Sequence, residues 1–219
     1  MSINIAIDGP SAAGKSTIAK CIAKKLNYKH LDTGAMYRCV ALQAIKEHIN
    51  FDQENKLCVM IDHMKIDFGK DNSVFINAID VSKEIRENEI SMAASTCSAH
   101  PKVRERLVTM QQEIAKTGGY ILDGRDIGTV VLPKAELKIY MIASVKARAM
   151  RRYLEYQEKG IKADYNKIYE DIEQRDYQDT HREASPLRKS EDAIEIDTSQ
   201  MSIEEVCNAI VSLLQDLNV

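Results

Sequence analysis

Apolar residues along this chain fall into short β-branched runs that alternate with longer stretches of helical spacing. Ile3, Ile5, Ala6 and Ile7 make the first run, which ends at Asp8; such a run, bounded by turn residues, predicts a buried strand over 3–8. Ile18, Ala19, Ile22, Ala23 and Leu26 then recur at intervals of three and four, predicting a helix over 15–26. An extended piece from Tyr28 to Leu31 leads to Asp32-Thr33-Gly34, and a second helix is predicted over 34–48 with Met36, Tyr37, Val40, Ala41, Ala44, Ile45 and His48 on one side. The pattern changes over 51–99. A helix near 54–64 precedes alternating pieces at Lys65–Phe68, Val74–Ile76 and Ile79–Val81, with a turn at Asp71-Asn72-Ser73 and a helical reading over 83–99. This stretch reads as a small mixed insert with antiparallel strands.

Pro101 stands where a first helical residue is favoured, and that helix runs to Lys116 before Thr117-Gly118-Gly119 ends it. Tyr120-Ile121-Leu122 predicts a buried strand running into Asp123-Gly124-Arg125-Asp126, and Leu137–Ala143 predicts another. Ser144 can cap a long helix, and Asp164 can start one that reaches His181. Ala193–Ile196 reads as the last strand. Ser202-Ile203-Glu204-Glu205 has the form of a capping box, opening a helix with Ile203, Val206, Ile210, Leu213, Leu214 and Leu217 on one stripe. Strands alternating with helices predict an α/β fold with a parallel sheet covered on both faces. Ligands then bind beyond the carboxyl ends of the strands, where Asp8–Ser16, Asp32–Gly34 and Asp123–Asp126 should converge.

Composition narrows the class. The 219 residues suffice for one sizeable domain with an inserted subdomain, and 44% hydrophobic with 29% charged residues fits a globular enzyme. A net charge of −3 gives no bulk attraction for nucleic acid or anionic membrane. The apolar runs are far shorter than a bilayer span, and no basic-then-apolar leader opens the chain, so a cytoplasmic protein is expected. Cys21, Cys39, Cys58, Cys97 and Cys207 are scattered and read as reduced thiols, and the five histidines show no metal spacing. Nothing in the sequence forces a dimer, so a monomer is expected.

The chemistry is concentrated in Gly9-Pro10-Ser11-Ala12-Ala13-Gly14-Lys15-Ser16, which satisfies G-x-x-x-x-G-K-[ST] between a predicted strand and a predicted helix. Glycines at the fixed positions let backbone N–H groups turn inward onto phosphate oxygens, Lys15 can bridge terminal phosphates, and Ser16 can ligate Mg²⁺. Asp123 at a strand end can hold Mg²⁺ or its waters, and Arg125 can neutralise a transferring phosphoryl group; a plain Asp-Gly turn is the bland reading. Arg148, Arg151 and Arg152 share one helix face, either as a solvated basic face or as one meeting an anion. Arg175, Asp179 and Arg182 also share a face. An ion pair at four-residue spacing explains the first two, while an arm closing over phosphates explains all three. Thr33 and Arg38 mark a helix start that serves as a cap, an anion site, or both. A second anion site beside a phosphate loop implies an acceptor that carries its own phosphate. A GTPase switch is disfavoured, since no N-K-x-D occurs and no D-x-x-G follows a candidate strand.

Ile-Asp-Gly-Pro-Ser-Ala-Ala-Gly-Lys-Ser (7–16), Leu-Asp-Thr-Gly-Ala-Met-Tyr-Arg (31–38) and Asp-Gly-Arg-Asp-Ile-Gly-Thr-Val-Val (123–131) together resemble bacterial cytidylate kinases. Pro101–Arg106 and Gln174–Leu187 are similar to that family as well. The resemblance implies a P-loop kinase core over 1–50 and 100–219, an acceptor-binding insert over 51–99 and a lid over 148–182. It implies transfer of the ATP γ-phosphate to CMP or dCMP with Mg²⁺ as cofactor. Gly9 to Thr17 would wrap the ATP phosphates, with Arg148, Arg151 and Arg152 on the lid side and Arg175 on the phosphate path. Arg38 and Arg125 would hold the acceptor phosphate and Thr33 would lie near it. Ser95, Arg104, Asp126, Asp179 and Arg182 would belong to the acceptor side, with Ser16 and Asp123 toward the metal. The family often has Ser where this chain has Thr33, and some members have Gly at the position of Ser16.

Overall fold

The structure is a computed structural model and describes residues 2–69 and 73–216. It divides into two compact units, one of Met1–His30 with Thr117–Val219 and one of Leu31–Lys116.

The first unit is built on a five-stranded sheet in the order β2-β6-β1-β7-β8. Its strands are β1 (Ile5–Asp8), β2 (Lys29–Asp32), β6 (Tyr120–Gly124), β7 (Leu137–Ile142) and β8 (Ile194–Asp197), with β2 carrying the boundary between the units. Strand β1 is central and runs parallel to β6 on one side and β7 on the other. A central parallel strand is covered on both faces, which is why Ile5, Ala6 and Ile7 form an unbroken apolar run and are fully buried. The register pairs Ile7 with Asp123 and Asp8 with Gly124, so the two loops leave the sheet side by side at its carboxyl edge.

Helix α1 (Lys15–Leu26) buries Ile18, Ala19, Ile22 and Ala23 with β1, β6 and α8 (Ile203–Asp216). At α8 the Ser202–Glu205 capping box forms as its sequence predicts, with the Glu205 N–H donating to Ser202 Oγ and the Ser202 N–H to Glu205 Oε2. Val206, Ile210 and Leu214 of its stripe are buried, and Leu217 lies outside the described residues. Helices α6 (Val145–Glu158) and α7 (Tyr165–His181) pack on each other through Ala149, Ile168 and Ile172, and Ala12 of the glycine loop joins that cluster. Ser144 and Asp164 cap them, accepting from Ala147 N–H and from the Asn166 and Lys167 N–H groups.

The second unit holds α2 (Thr33–Lys46), α3 (Glu54–Asp62), α4 (Asn88–Cys97) and α5 (Pro101–Ala115) around a core that includes Met36, Val40, Leu57, Ile61, Ile85 and Leu107. Strands β3 (Ile66–Phe68), β4 (Val74–Ile76) and β5 (Ile79–Asp80) form an antiparallel sheet in that order. Asp71 and Asn72 of the predicted turn lie outside the described residues.

Four local readings change. The first strand begins at Ile5. Asp32, not Thr33, caps α2, because its carboxylate accepts the Ala35 N–H at 3.0 Å. The stretch read as one helix over 83–99 is a 3₁₀ turn at Glu84–Arg86 and then α4, divided at Glu87, whose backbone is extended. The scattered cysteines are not all free: Cys21 of α1 and Cys207 of α8 are joined, their Cα atoms 6.6 Å apart. Packing of two helices 186 positions apart in sequence brings that pair together, which spacing could not reveal. Cys39, Cys58 and Cys97 are free and buried, and burial pushes the Cys39 and Cys97 thiols up to about 12. Among the described residues no helix is long and apolar enough to cross a membrane.

Candidate active site

The phosphate-loop backbone is set by two requirements. Gly9 has φ +150°, and a Cβ there would stand 2.1 Å from the Met141 carbonyl oxygen of β7, so only glycine fits. Gly14 is left-handed (φ +88°), turning the chain into α1. Inside the curl, Lys15 is buried and its Nζ donates to the carbonyls of Gly9 at 2.8 Å and Pro10 at 2.7 Å. Burial pulls the Lys15 ammonium down to about 7, with the Arg125 charge adding to the effect and Asp123, Asp179 and Asp8 opposing it.

Ser16 Oγ donates to Asp123 Oδ2 at 2.7 Å, so the loop hydroxyl and the strand-end carboxylate meet. The other oxygen, Asp123 Oδ1, lies 2.6 Å from His30 Nε2. His30 was not singled out from the sequence, because a lone histidine in a short strand gives no signal. Asp8 is buried at the end of β1 and accepts the N–H groups of Ile127 at 2.8 Å and Gly128 at 2.7 Å. These belong to a wide (π) turn of helix, Ile127–Val131, which the sequence pattern also missed. Burial pushes the Asp8 carboxyl up to about 6 against those two bonds.

On α7, Asp179 is buried and pairs with Arg125 Nε at 2.6 Å and with Arg182 at 3.6 Å. Burial alone would raise its carboxyl, but Arg125, with Arg182 and Arg175, outweighs it and holds the group below the usual carboxylate value. The three α6 arginines go to different places. Arg148 is buried and donates to the carbonyls of Ala143 and Ser11, each at 2.8 Å, and pairs with Asp176 at 2.6 Å. Asp176 in turn accepts the Ser11 N–H at 3.0 Å, so both backbone groups of Ser11 are gripped from α6 and α7. Arg151 donates to the carbonyl and hydroxyl of Thr198, and Arg152 lies beside Glu155 and over the Tyr156 ring. Arg175 carries a buried Nε, and Asp126 is buried beyond the β6 turn.

In the second unit, Arg38 of α2 pairs with the cap residue Asp32 at 2.7 Å. A Cβ on Gly34 would come within 3.1 Å of the Arg38 guanidinium and 3.2 Å of Asp32 Oδ1, so the glycine makes room for this pair. Thr33 is buried, and so is Arg104 of α5, which donates to Ser98 O at 3.1 Å and lies 5.2 Å from the Tyr37 ring centroid. Ser95 lies on α4, its carbonyl accepting the Ser98 hydroxyl.

The cytidylate kinase family model matches residues 5–216 of this chain. The chain belongs to the cytidylate kinase family. A cytidylate kinase of Streptococcus pneumoniae strain 70585 is 49% identical over 213 residues, covering 95% of this chain and 96% of that protein. One from Streptococcus sanguinis strain SK36 is 51% identical over 208 residues, 93% and 92% of the two chains. Among solved structures, a gluconokinase of Sinorhizobium meliloti 1021 has a TM-score of 0.51 at 12% identity, over 98% of this chain and 93% of that one. A shikimate kinase of Acinetobacter baumannii has 0.50 at 16%, over 99% and 94%. At those identities the structures speak for the shared P-loop kinase fold alone. As a cytidylate kinase family member the chain is a phosphotransferase, a nucleoside monophosphate kinase.

Proposed function

We propose that this chain transfers the γ-phosphate of ATP to CMP or dCMP, giving ADP and CDP or dCDP, by in-line displacement with Mg²⁺. The observation that carries the reading is the phosphate loop with its buried Lys15, in a chain that matches cytidylate kinases along nearly its whole length. Phosphoryl transfer asks a protein for placement and for cancellation of charge, with no covalent intermediate. The Gly9–Thr17 backbone wraps the ATP phosphates, with N–H groups of the loop turned onto their oxygens. Lys15 leaves the carbonyls of Gly9 and Pro10 for the terminal phosphates, regaining its full charge beside them. Arg125 and Arg175 offset charge on the moving group.

Ser16 Oγ and Asp123 Oδ2 fit Mg²⁺, being two hard oxygen donors already 2.7 Å apart. Among the described residues no group of three or more His, Cys, Asp or Glu is placed to hold a metal. Mg²⁺ with a nucleotide takes one or two protein oxygens and the phosphates. When bound, the ion neutralises phosphate charge. On the acceptor side we assign the CMP phosphate to Arg38 and Arg125, with Thr33 near it. We assign the base and sugar to Ser95, Arg104, Asp126, Asp179 and Arg182, whose donors and acceptors suit a cytosine edge. Residues 51–99 form the acceptor-binding part and 148–182 the lid, where Arg148 acts through its grip on Ser11 and Arg151 and Arg152 stand on the ATP side. A coupled assay with Mg²⁺·ATP and each nucleoside monophosphate in turn tests this. CMP and dCMP should be the best acceptors, and equal rates with AMP or GMP would overturn the reading.

A further inference from the structure

Asp123 is held from both sides. His30 on β2 and Asp123 on β6 sit on neighbouring strands, and their side chains are each only 4% exposed. The 2.6 Å contact between His30 Nε2 and Asp123 Oδ1 occupies one carboxylate oxygen, while Ser16 Oγ lies on the other. An ionised carboxylate offers acceptors only, so the imidazole Nε2 donates. The terminal torsion of an aspartate is broad, and a carboxylate hung from a strand end can turn about it. A donor fixed on one oxygen removes that freedom and fixes where the second oxygen points. His30 can do this because its own ring is buried and carried by a sheet strand, not by a loop.

We infer that His30 is a positioning residue. It aims Asp123 Oδ2 at the phosphate-loop hydroxyl and so pre-sets the pair of oxygens that receives the nucleotide's divalent cation. The inference rests on the reading of Ser16 and Asp123 as the metal side of the site. Groups that orient a metal ligand from behind change metal affinity by roughly 10–100-fold when removed. The effect should fall on the cation, because the His30 ring meets the carboxylate read as the metal's ligand.

The test uses Mn²⁺ binding to the full chain with a non-hydrolysable ATP analogue, read from the electron paramagnetic resonance of free Mn²⁺. Metal-free binding of the same analogue is measured beside it. His30→Gln can place an amide N–H where Nε2 stands and should bind Mn²⁺ within about threefold of the parent. His30→Phe keeps the bulk without the donor and should weaken Mn²⁺ binding by about 10–100-fold, with metal-free analogue binding within twofold. If His30→Phe fails to fold, His30→Asn replaces it; its amide is too short to reach Oδ1 and should show the same loss. Parental Mn²⁺ affinity in the donor-less variant overturns the inference, and so does an equal loss in His30→Gln. Asp123→Asn separates the two layers. If that change leaves Mn²⁺ affinity intact, the metal reading itself falls and takes this inference with it; if it weakens Mn²⁺ while His30→Phe does not, only the role of His30 falls.

Discussion

Replacing Asp179 with asparagine should cost stability in a way that depends on pH. The carboxylate pairs with Arg125 at 2.6 Å and Arg182 at 3.6 Å, and its side chain is 8% exposed. Asparagine keeps the shape and one acceptor but leaves two guanidinium groups without the charge between them. Breaking a buried ion pair costs about 3–5 kcal/mol, and a charge-assisted hydrogen bond alone is worth about 1.5–3 kcal/mol. The Arg125 side chain is 21% exposed, so water recovers part of the loss. The expected cost is about 2–3 kcal/mol, which for a chain of this size lowers the melting temperature by about 5–10 °C. The pH dependence has a definite sign. The folded carboxyl lies below its unfolded value, so its stabilisation is complete above that value and is lost as pH falls through the folded one. Asp179→Asn and the parent should therefore differ by a constant amount from pH 8 down to about 5 and converge below about 4. Thermal and urea unfolding followed by circular dichroism across that range measures both. A difference under about 0.5 kcal/mol at pH 7, or one that persists unchanged at pH 3, would refute the reasoning.

Lys15→Met should lower kcat by about 10²–10³-fold in the coupled assay while the melting temperature holds or rises, since a buried ammonium is removed; a variant with parental kcat contradicts the role given to Lys15. Gly9→Ala drives a Cβ to within 2.1 Å of the Met141 carbonyl and should abolish soluble expression or cost several kcal/mol, so a normal melting curve counts against the backbone argument. The Asp8 carboxyl should titrate near 6 by carbon NMR, its ionisation costing the fold about 3 kcal/mol as pH rises from about 4 past 6; a midpoint near 4 would show that burial is not what governs it. Arg182→Met should reduce the preference for CMP over UMP with ATP affinity kept, and an unchanged ratio removes Arg182 from the base site.

Local rules made much of this molecule legible. The order of strand, glycine loop and helix follows from Ile3–Leu26, and the caps at Ser144, Asp164 and Ser202 form as their side chains predict. One miss is local, and the others depend on distant partners. Asp32 displaces Thr33 as cap because its carboxylate serves both Ala35 and Arg38. The three α6 arginines look equivalent on a helical wheel, yet they separate once Ser11, Asp176 and Thr198 are in place. His30 and the helical turn at Ile127–Val131 carried no pattern, since each is defined by a residue on another strand. The Cys21–Cys207 pair needed the packing of α1 on α8.

The carboxylate of Asp8 ends the strand that precedes the phosphate loop, and it holds two amides from the segment that follows Arg125. Two motifs separated by more than a hundred positions therefore hang from one fastener. Their separation is set by the β1–β6 pairing and by this pair of short bonds at its carboxyl end, and not by the length of chain between them. Insertions or drift in the intervening unit leave that spacing untouched. A change at Asp8 loosens both motifs at once, so substitutions in one should read out as losses in the other, with energies that do not add.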